Sequence, residues 1–171
     1  MVAGATAAAS QAAAPVHLTN IDISSTETIP AGDLCAFDVT TTFSGAADVT
    51  LWTNDAGLVV RERSDAPGAK ATFSGNGKSF SFPADEQVEI DFGSGAVLGG
   101  SATLKVTGLF DHVPGVLSSD AGQVVFDATV LGFASVDGAE IPLTAGGTLQ
   151  VQHGSVHPGD AVAAAICAAR S

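Results

Sequence analysis

From Leu18 onward, the chain is a succession of short segments in which apolar and polar residues alternate. In one of them, Val88, Ile90 and Phe92 fall on one face, and the residues between them are polar. This alternation is typical of strands that bury a single face. Nine or ten such segments, spaced by about 8 to 14 residues and separated by Gly, Pro, Asn and Asp, predict an all-β fold. We expect a single antiparallel β-barrel or β-sandwich of 8–10 strands.

Turn motifs and one alanine-rich segment complete the predicted elements. Gly75-Asn76-Gly77 separates two alternating segments, and Asp137-Gly138 follows another. Gly, Asn and Asp accept the positive φ angles that tight hairpin turns require. Residues 160–169, DAVAAAICAA, follow Pro158 and begin with an aspartate that can cap a helix. We therefore expect a short C-terminal helix.

The first fourteen residues, MVAGATAAASQAAA, are small and uncharged and stop before Pro15. Small residues in this arrangement precede secretory cleavage sites, so the segment resembles the end of an export signal. A flexible alanine-rich tail or a short helix is the alternative. Both interpretations divide the chain into a leader or tail at 1–15 and a single β domain at 16–171.

Composition then excludes two classes of protein. The chain has 171 residues, of which 18 are acidic and 6 basic, with a formal net charge of −12. No window of about 18 unbroken apolar residues is present, which excludes a membrane-spanning helix. Nucleic acid is excluded as a partner because its phosphates require clustered Lys and Arg.

The two cysteines, Cys35 and Cys167, are far apart and form no CxxC motif. A zinc ribbon and a thioredoxin-type redox pair are therefore excluded. If the cysteines pair, they close a loop of roughly 130 residues and fasten the C-terminal segment to the start of the domain. The alternative is two buried free thiols that act as small apolar side chains.

The neighbourhoods of the two cysteines carry a family resemblance. The segment 30–39, PAGDLCAFDV, and the terminal Ile166-Cys167-Ala168-Ala169 resemble a group of small exported actinobacterial β-rich proteins of unknown function. In that group a Cys-x-Phe-x-Val segment opens the β fold, and a lone cysteine closes the chain. The resemblance implies export, a Cys35–Cys167 disulfide and a β fold, and it supplies no catalytic residues.

One set of side chains predicts a ligand pocket. Trp52, Arg61, Phe110 and His112, with Arg63 beside them, combine strand-borne aromatic rings with cations. In a barrel of eight or more strands, such residues at the mouth of a cavity could bind an apolar anion. The alternative is that the aromatic residues are ordinary core and the arginines ordinary surface.

No metal site is predicted. Asp85, Glu89 and Asp91 lie in a row along one strand, whereas a Ca²⁺ site needs oxygens that converge. His153 and His157 have a metal-like spacing, but Gly154 and Pro158 oppose a helix that would hold them together, and no third ligand is nearby.

No cofactor is predicted either. The glycine-rich segment 93–100 follows a strand but precedes another strand, so a phosphate would find no helix N-terminus there.

Together these features favour an exported, disulfide-linked β domain without enzymatic activity. It would act as a binding or structural protein, secreted or in the cell envelope, with a hydrophobic small molecule or another envelope protein as its partner. The alternative is a cofactor-independent cyclase or isomerase that acts on a hydrophobic small molecule inside a β-barrel. A large cavity would favour the enzyme, and a filled interior with exposed apolar strands would favour binding.

Overall fold

The structure, a computed structural model, describes residues 14–109, 121–155 and 159–170. These residues form two antiparallel sheets and one helix, which confirms the prediction of an all-β fold. The strands are β1 (Val16–Asp22), β2 (Ser25–Ile29), β3 (Val39–Ser44), β4 (Ala46–Thr53), β5 (Val59–Asp65), β6 (Lys70–Gly75), β7 (Lys78–Pro83), β8 (Glu86–Asp91), β9 (Ser101–Leu109), β10 (Ala121–Val136) and β11 (Ala139–Ser155), and the helix is α1 (Gly159–Arg170).

The larger sheet has seven strands in the order β1-β4-β5-β8-β9-β10-β11. All its neighbouring pairs are antiparallel. Within the residues that the structure describes, β1 and β11 are the two ends of this order and do not pair with each other. This sheet is therefore open and not a closed barrel. Over the same residues, no helix is long and apolar enough to span a membrane.

One face of the larger sheet holds the main hydrophobic core. Leu51 and Val130 are 2% and 1% exposed, and every residue of their cluster belongs to this sheet or to the segment 92–100. Strands bury alternate residues in this way when one face is covered. We infer that the sheet curves around its own inner face, because no other described element contributes to that core.

The smaller sheet has the order β2-β3-β6-β7 and is built around stacked aromatic rings. The ring centroids of Phe73 and Phe80 are 5.5 Å apart, and those of Phe73 and Phe82 are 5.9 Å apart. Ala165 and Ile166 of α1 share a second buried cluster with Val39 of β3. The helix therefore lies against the smaller sheet.

A disulfide joins Cys35, which precedes β3, to Cys167 of α1, so the predicted pairing is confirmed. It closes a loop with a sequence separation of 132 residues. Cys35 is buried beside Ala165 and Ile166, so the covalent link and the apolar contact hold the same two segments together. In the chain-entropy model a loop of this length stabilises the folded state by about 5 kcal/mol.

The chain crosses between the two sheets four times, and the first two crossings are adjacent. The first lies between Asp22 and Ser25, where the Ser24 amide donates to Asp22 Oδ1 at 2.9 Å. The second is Gly45, which alone separates β3 from β4 and accepts a hydrogen bond from the Ile23 amide at 3.2 Å. Gly45 has a φ of 147°, and a Cβ there would lie 2.9 Å from the Cα of Ala69. Glycine is therefore required where the two sheets meet.

Both predicted hairpin turns are present. Asn76 and Gly77 have φ angles of 49° and 73°, and Asp137 and Gly138 have φ angles of 49° and 81°. The residues that flank each turn are paired directly, Gly75 with Lys78 and Val136 with Ala139. Two consecutive residues with positive φ are characteristic of the two-residue turns that match strand twist.

Some strands differ from the alternating segments of the sequence. The alternation over residues 18–24 predicts one strand there and corresponds to β1, whereas β2 at Ser25–Ile29 was not predicted. The alternating residues 123–131 and 133–136, which predict two segments, form one strand, β10, with a register irregularity between Val130 and Gly132. The described residues contain eleven strands, above the predicted 8–10. The predicted leader at 1–15 lies almost entirely outside the described residues.

We predict that the double substitution Cys35→Ser and Cys167→Ser lowers the free energy of unfolding by about 5 kcal/mol, because the unfolded chain regains the entropy of an open loop. Urea unfolding without reductant measures the change. The matched control is Ala36→Ser with Ala168→Ser, which introduces the same side chain at exposed neighbouring positions. Equal stability of the two double variants would contradict the prediction.

We also predict that Gly45→Ala destabilises the protein by about 2 kcal/mol, through backbone strain and the contact with Ala69. The control is Gly132→Ala in β10, where an added Cβ meets nothing within 4 Å. That control variant should be as stable as the parent chain. Thermal unfolding of both variants tests the difference, and two equal melting temperatures would count against a special role for Gly45.

Candidate functional site

Two of the predicted pocket residues, Trp52 and Arg61, are directly opposite each other on β4 and β5. The guanidinium carbon of Arg61 lies 4.9 Å from the centroid of the Trp52 ring. This distance is typical of a cation–π contact. The adjacent residues Leu51 and Glu62 point to the buried face of the sheet, so Trp52 and Arg61 lie on its outer face.

Arg61 is also part of an ion-pair cluster on that outer face. Its Nη2 atom lies 3.0 Å from Oε1 of Glu89, and Lys105 Nζ lies 3.6 Å from Oε2 of the same carboxylate. These groups are partly exposed, so the ion pairs contribute little to stability. The guanidinium group of Arg61, which the sequence predicts as a binding group for an anion, is paired with Glu89 and faces the Trp52 ring.

Phe110 and His112 lie outside the described residues. The pocket predicted from Trp52, Arg61, Phe110 and His112 therefore remains a prediction. Trp52 and Arg61 are brought together as a cross-strand pair, on the face of the sheet opposite the main core.

Arg63, two residues along β5, forms a second polar group on the outer face. Its Nε donates to Asp65 Oδ2 at 3.0 Å, and Gln87 Nε2 donates to Asp65 Oδ1 at 2.8 Å. Burial alone would raise the pKa of Asp65, but the hydrogen bonds from Arg63 and Gln87 and the charge of Arg63 hold that pKa below its ordinary value.

Glu62, between the two arginines, points to the inner face. It is 7% exposed, and its Oε2 atom has no hydrogen-bond partner. The residues directly opposite it are Leu51 of β4 and Ile90 of β8, both buried in the main core. Glu62 is therefore a carboxyl group in apolar surroundings.

Burial raises the pKa of Glu62 from 4.5 to about 7. The cause is desolvation, since a low-dielectric environment disfavours the charged carboxylate. Among the described residues, the ion pairs of Arg61 and Arg63 lie on the opposite face and do not compensate for this desolvation. A carboxyl group with these properties can exchange a proton near neutral pH, which is a feature of many functional sites.

Glu62 is not among the residues predicted from the sequence, although the sequence contains a signal for it. Arg61-Glu62-Arg63 lies within an alternating strand, and two arginines rarely point into an apolar core. If both arginines face solvent, the residue between them must face inward. That inference requires knowledge of which face of the strand is buried. The sequence of residues 59–65 alone does not determine this face.

Several depressions lie on the described residues. One, of about 220 Å³, is lined by Asp65, Gln87 and five neighbouring residues. A second has a volume of about 270 Å³ and is apolar apart from Glu140, being lined by Gly57, Leu58, Val59, Ala96, Phe133 and Glu140. A third, of about 340 Å³, lies on the outer face and is lined by Glu89, Asp91, Thr103, Lys105 and Val125. Small-molecule sites usually enclose about 300 to 1,000 Å³. The apolar depression is below that range, and Glu62 is not among its lining residues.

The predicted row of acidic residues has other partners. Asp85 Oδ1 accepts a hydrogen bond from the Gly68 amide, and Asp91 Oδ1 accepts one from the Gly93 amide. Glu89 is paired with Arg61 and Lys105. Across the described ranges, no group of three or more His, Cys, Asp or Glu side chains is placed to hold a metal ion.

His153 lies on β11, opposite Gln123 of β10. His157 falls outside the described residues. The prediction that His153 and His157 do not form a metal site is therefore not tested.

Comparison with protein-family models, curated proteins and solved structures gives no match to this chain. The function is therefore argued from the side chains and surfaces of the described residues.

We predict that the burial of Glu62 makes stability depend on pH. The pKa of Glu62 is raised in the folded state. The free energy of unfolding is therefore highest below pH 4.5, where Glu62 is protonated in both states, and it falls as the pH rises to about 7. A shift of this size corresponds to about 3 kcal/mol. Glu62→Gln should remove this component of the pH profile, as measured by urea unfolding across the window.

Glu140→Gln is the control for that experiment, since it neutralises an exposed carboxyl group on β11. Its stability profile should run parallel to that of the parent chain. If the Glu62→Gln profile is also parallel to the parent's, Glu62 does not change its ionisation on unfolding.

Proposed function

We propose that this protein is an exported β domain without enzymatic activity, which acts as a binding or structural protein in the cell envelope or the surrounding medium. The observation that carries the proposal is the Cys35–Cys167 disulfide. Disulfides that join distant parts of a domain persist in oxidising compartments and are rare in the cytosol. The alanine-rich residues 1–14 and the resemblance to small exported actinobacterial proteins support the same compartment.

The core of the larger sheet supports binding rather than catalysis. Its inner face is filled with aliphatic side chains, among them Leu51 and Val130, and several large apolar side chains are exposed instead. Leu131 of β10 is 63% exposed and Leu143 of β11 is 49% exposed. Exposed apolar side chains on a rigid sheet are typical of surfaces that contact another molecule.

Glu62 favours a second candidate function. A cofactor-independent cyclase or isomerase of a hydrophobic small molecule would need one buried proton donor, and Glu62 has the burial and the pKa for that role. Against this candidate, the apolar depression of about 270 Å³ is small for a substrate and is not lined by Glu62. The binding function is therefore preferred.

The proposed architecture is two antiparallel sheets that meet where the chain crosses between them and keep separate buried clusters, with a short C-terminal helix on the smaller sheet. The crossing at Gly45, where the sheets meet, supports this arrangement. The contacts of Ala165 and Ile166 with Val39, reinforced by the disulfide, support the place of the helix.

Fractionation of the producing organism tests the proposed compartment. We expect the protein in the medium or the cell-envelope fraction, with Cys35 and Cys167 linked in mass spectra of unreduced digests. A sample treated with reductant provides the control for alkylation of both thiols. Recovery from the cytosol with two alkylatable thiols would overturn the proposal.

A further inference from the structure

Strand β11 is one edge of the larger sheet. Over the described residues its only hydrogen-bonded neighbour is β10. In an antiparallel sheet, every second residue of an edge strand directs its N–H and C=O groups away from the neighbouring strand. We call residues 143–151 of β11 the edge segment. Its sequence is LTAGGTLQV.

The other edges carry features that discourage a further strand. The smaller sheet ends in β2, which has five residues and contains Glu27, and in β7, which contains Lys78 and Pro83. The opposite edge of the larger sheet, β1, has an irregular register between Leu18 and Ile21. Short strands, charges, proline and bulges are the usual means of blocking sheet edges.

The edge segment also has an irregular register, but it belongs to the longest of the described strands and is uncharged. It contains no Lys, Arg, Asp or Glu, and residues 145–151 are all exposed. Leu143, Leu149 and Val151 are 49%, 45% and 41% exposed. Backbone groups that point away from β10, beside exposed aliphatic side chains, are what an extended peptide needs, because the backbone supplies hydrogen bonds and the side chains supply apolar contacts. Within the edge segment, the Thr148 carbonyl accepts a long hydrogen bond of 3.5 Å from Gln150 Nε2.

Charge decides what kind of strand fits. The hairpin of β10 and β11, residues 121–155, contains Asp127, Asp137 and Glu140 and no Lys or Arg. The whole chain has a formal net charge of −12. A cationic segment would therefore be attracted to this hairpin over a distance of several ångströms, whereas an anionic one would be repelled.

The same charges disfavour a second copy of this chain. Two β11 strands would bring together two hairpins that each carry three acids and no base. The register of β11 is irregular opposite Val125, Phe126 and Ala128, so an antiparallel pair of β11 strands would set these irregular stretches beside one another. A separate strand would bring no second acidic hairpin and would meet only one irregular stretch, that of β11 itself.

We propose that the edge segment binds an extended segment of another polypeptide that contains Lys or Arg, and that this segment pairs with β11 as an added strand. The inference rests on the proposed binding function and names its partner class. It does not depend on export, so a failure in fractionation and a failure in binding are separate results.

The test uses the full chain and two labelled nine-residue peptides of alternating Val and polar residues, one with Lys and one with Glu at the same polar positions. Fluorescence polarisation measures affinity, and hydrogen exchange locates the contact. We expect the Lys peptide to bind at least about tenfold more tightly than the Glu peptide. We also expect it to slow amide exchange within residues 143–151.

Leu149→Lys places a charge on the edge segment and should weaken binding of the Lys peptide at least about tenfold. The matched control is Leu98→Lys, which adds the same charge at an exposed leucine of the segment 92–100. That control should bind within about twofold of the parent chain. Val151→Lys serves as the second variant if Leu149→Lys does not fold, as judged by circular dichroism.

Three results would overturn the proposal. The first is equal affinity for the two peptides, or no measurable binding of either. The second is equal loss of binding in Leu149→Lys and Leu98→Lys, or exchange protection outside the edge segment. The third is a dimer in sedimentation analysis that Leu149→Lys dissociates, since the occupant would then be a second copy of the chain.

Discussion

Burial of one face of the seven-stranded sheet is the constraint on which the rest of the larger sheet depends. Successive residues of a strand point to opposite faces, so each strand that buries its apolar residues must expose the residues between them. In β5 this constraint puts Arg61 and Arg63 on the outer face and Glu62 in the core. The ion pairs of the outer face and the unpartnered carboxyl group inside follow from the same alternation.

The smaller sheet depends on a different interaction. Its β6–β7 hairpin stacks three phenylalanine rings, and α1 adds Ala165 and Ile166 to the buried cluster at Val39. A helix of twelve residues is marginal on its own, because helix nucleation is unfavourable and most helical stability comes from packing. The Cys35–Cys167 disulfide holds α1 beside the chain segment that leads into β3. It thereby keeps the helix next to the residues against which it packs.

The outer face and the β11 edge of the larger sheet differ in how their groups are paired. The polar outer face is largely satisfied by its own ion pairs, as Glu89 shows with Arg61 and Lys105. Along the edge of β11, Gln150 donates to Asp127 Oδ2 at 2.7 Å, and the aliphatic side chains of the uncharged segment are exposed. The edge of the sheet therefore favours binding and Glu62 favours catalysis, and the two groups lie on different strands.

The sequence by itself determined the alternation, the hairpin turns at Asn76-Gly77 and Asp137-Gly138, and the β class, because these depend on residues close together in the chain. It also limited the disulfide to one pair, since there are only two cysteines. The division into two sheets, the crossing at Gly45 and the inward position of Glu62 were decided by the tertiary structure. Each depends on which strands lie side by side, and strand partners are chosen by contacts between residues that are distant in sequence.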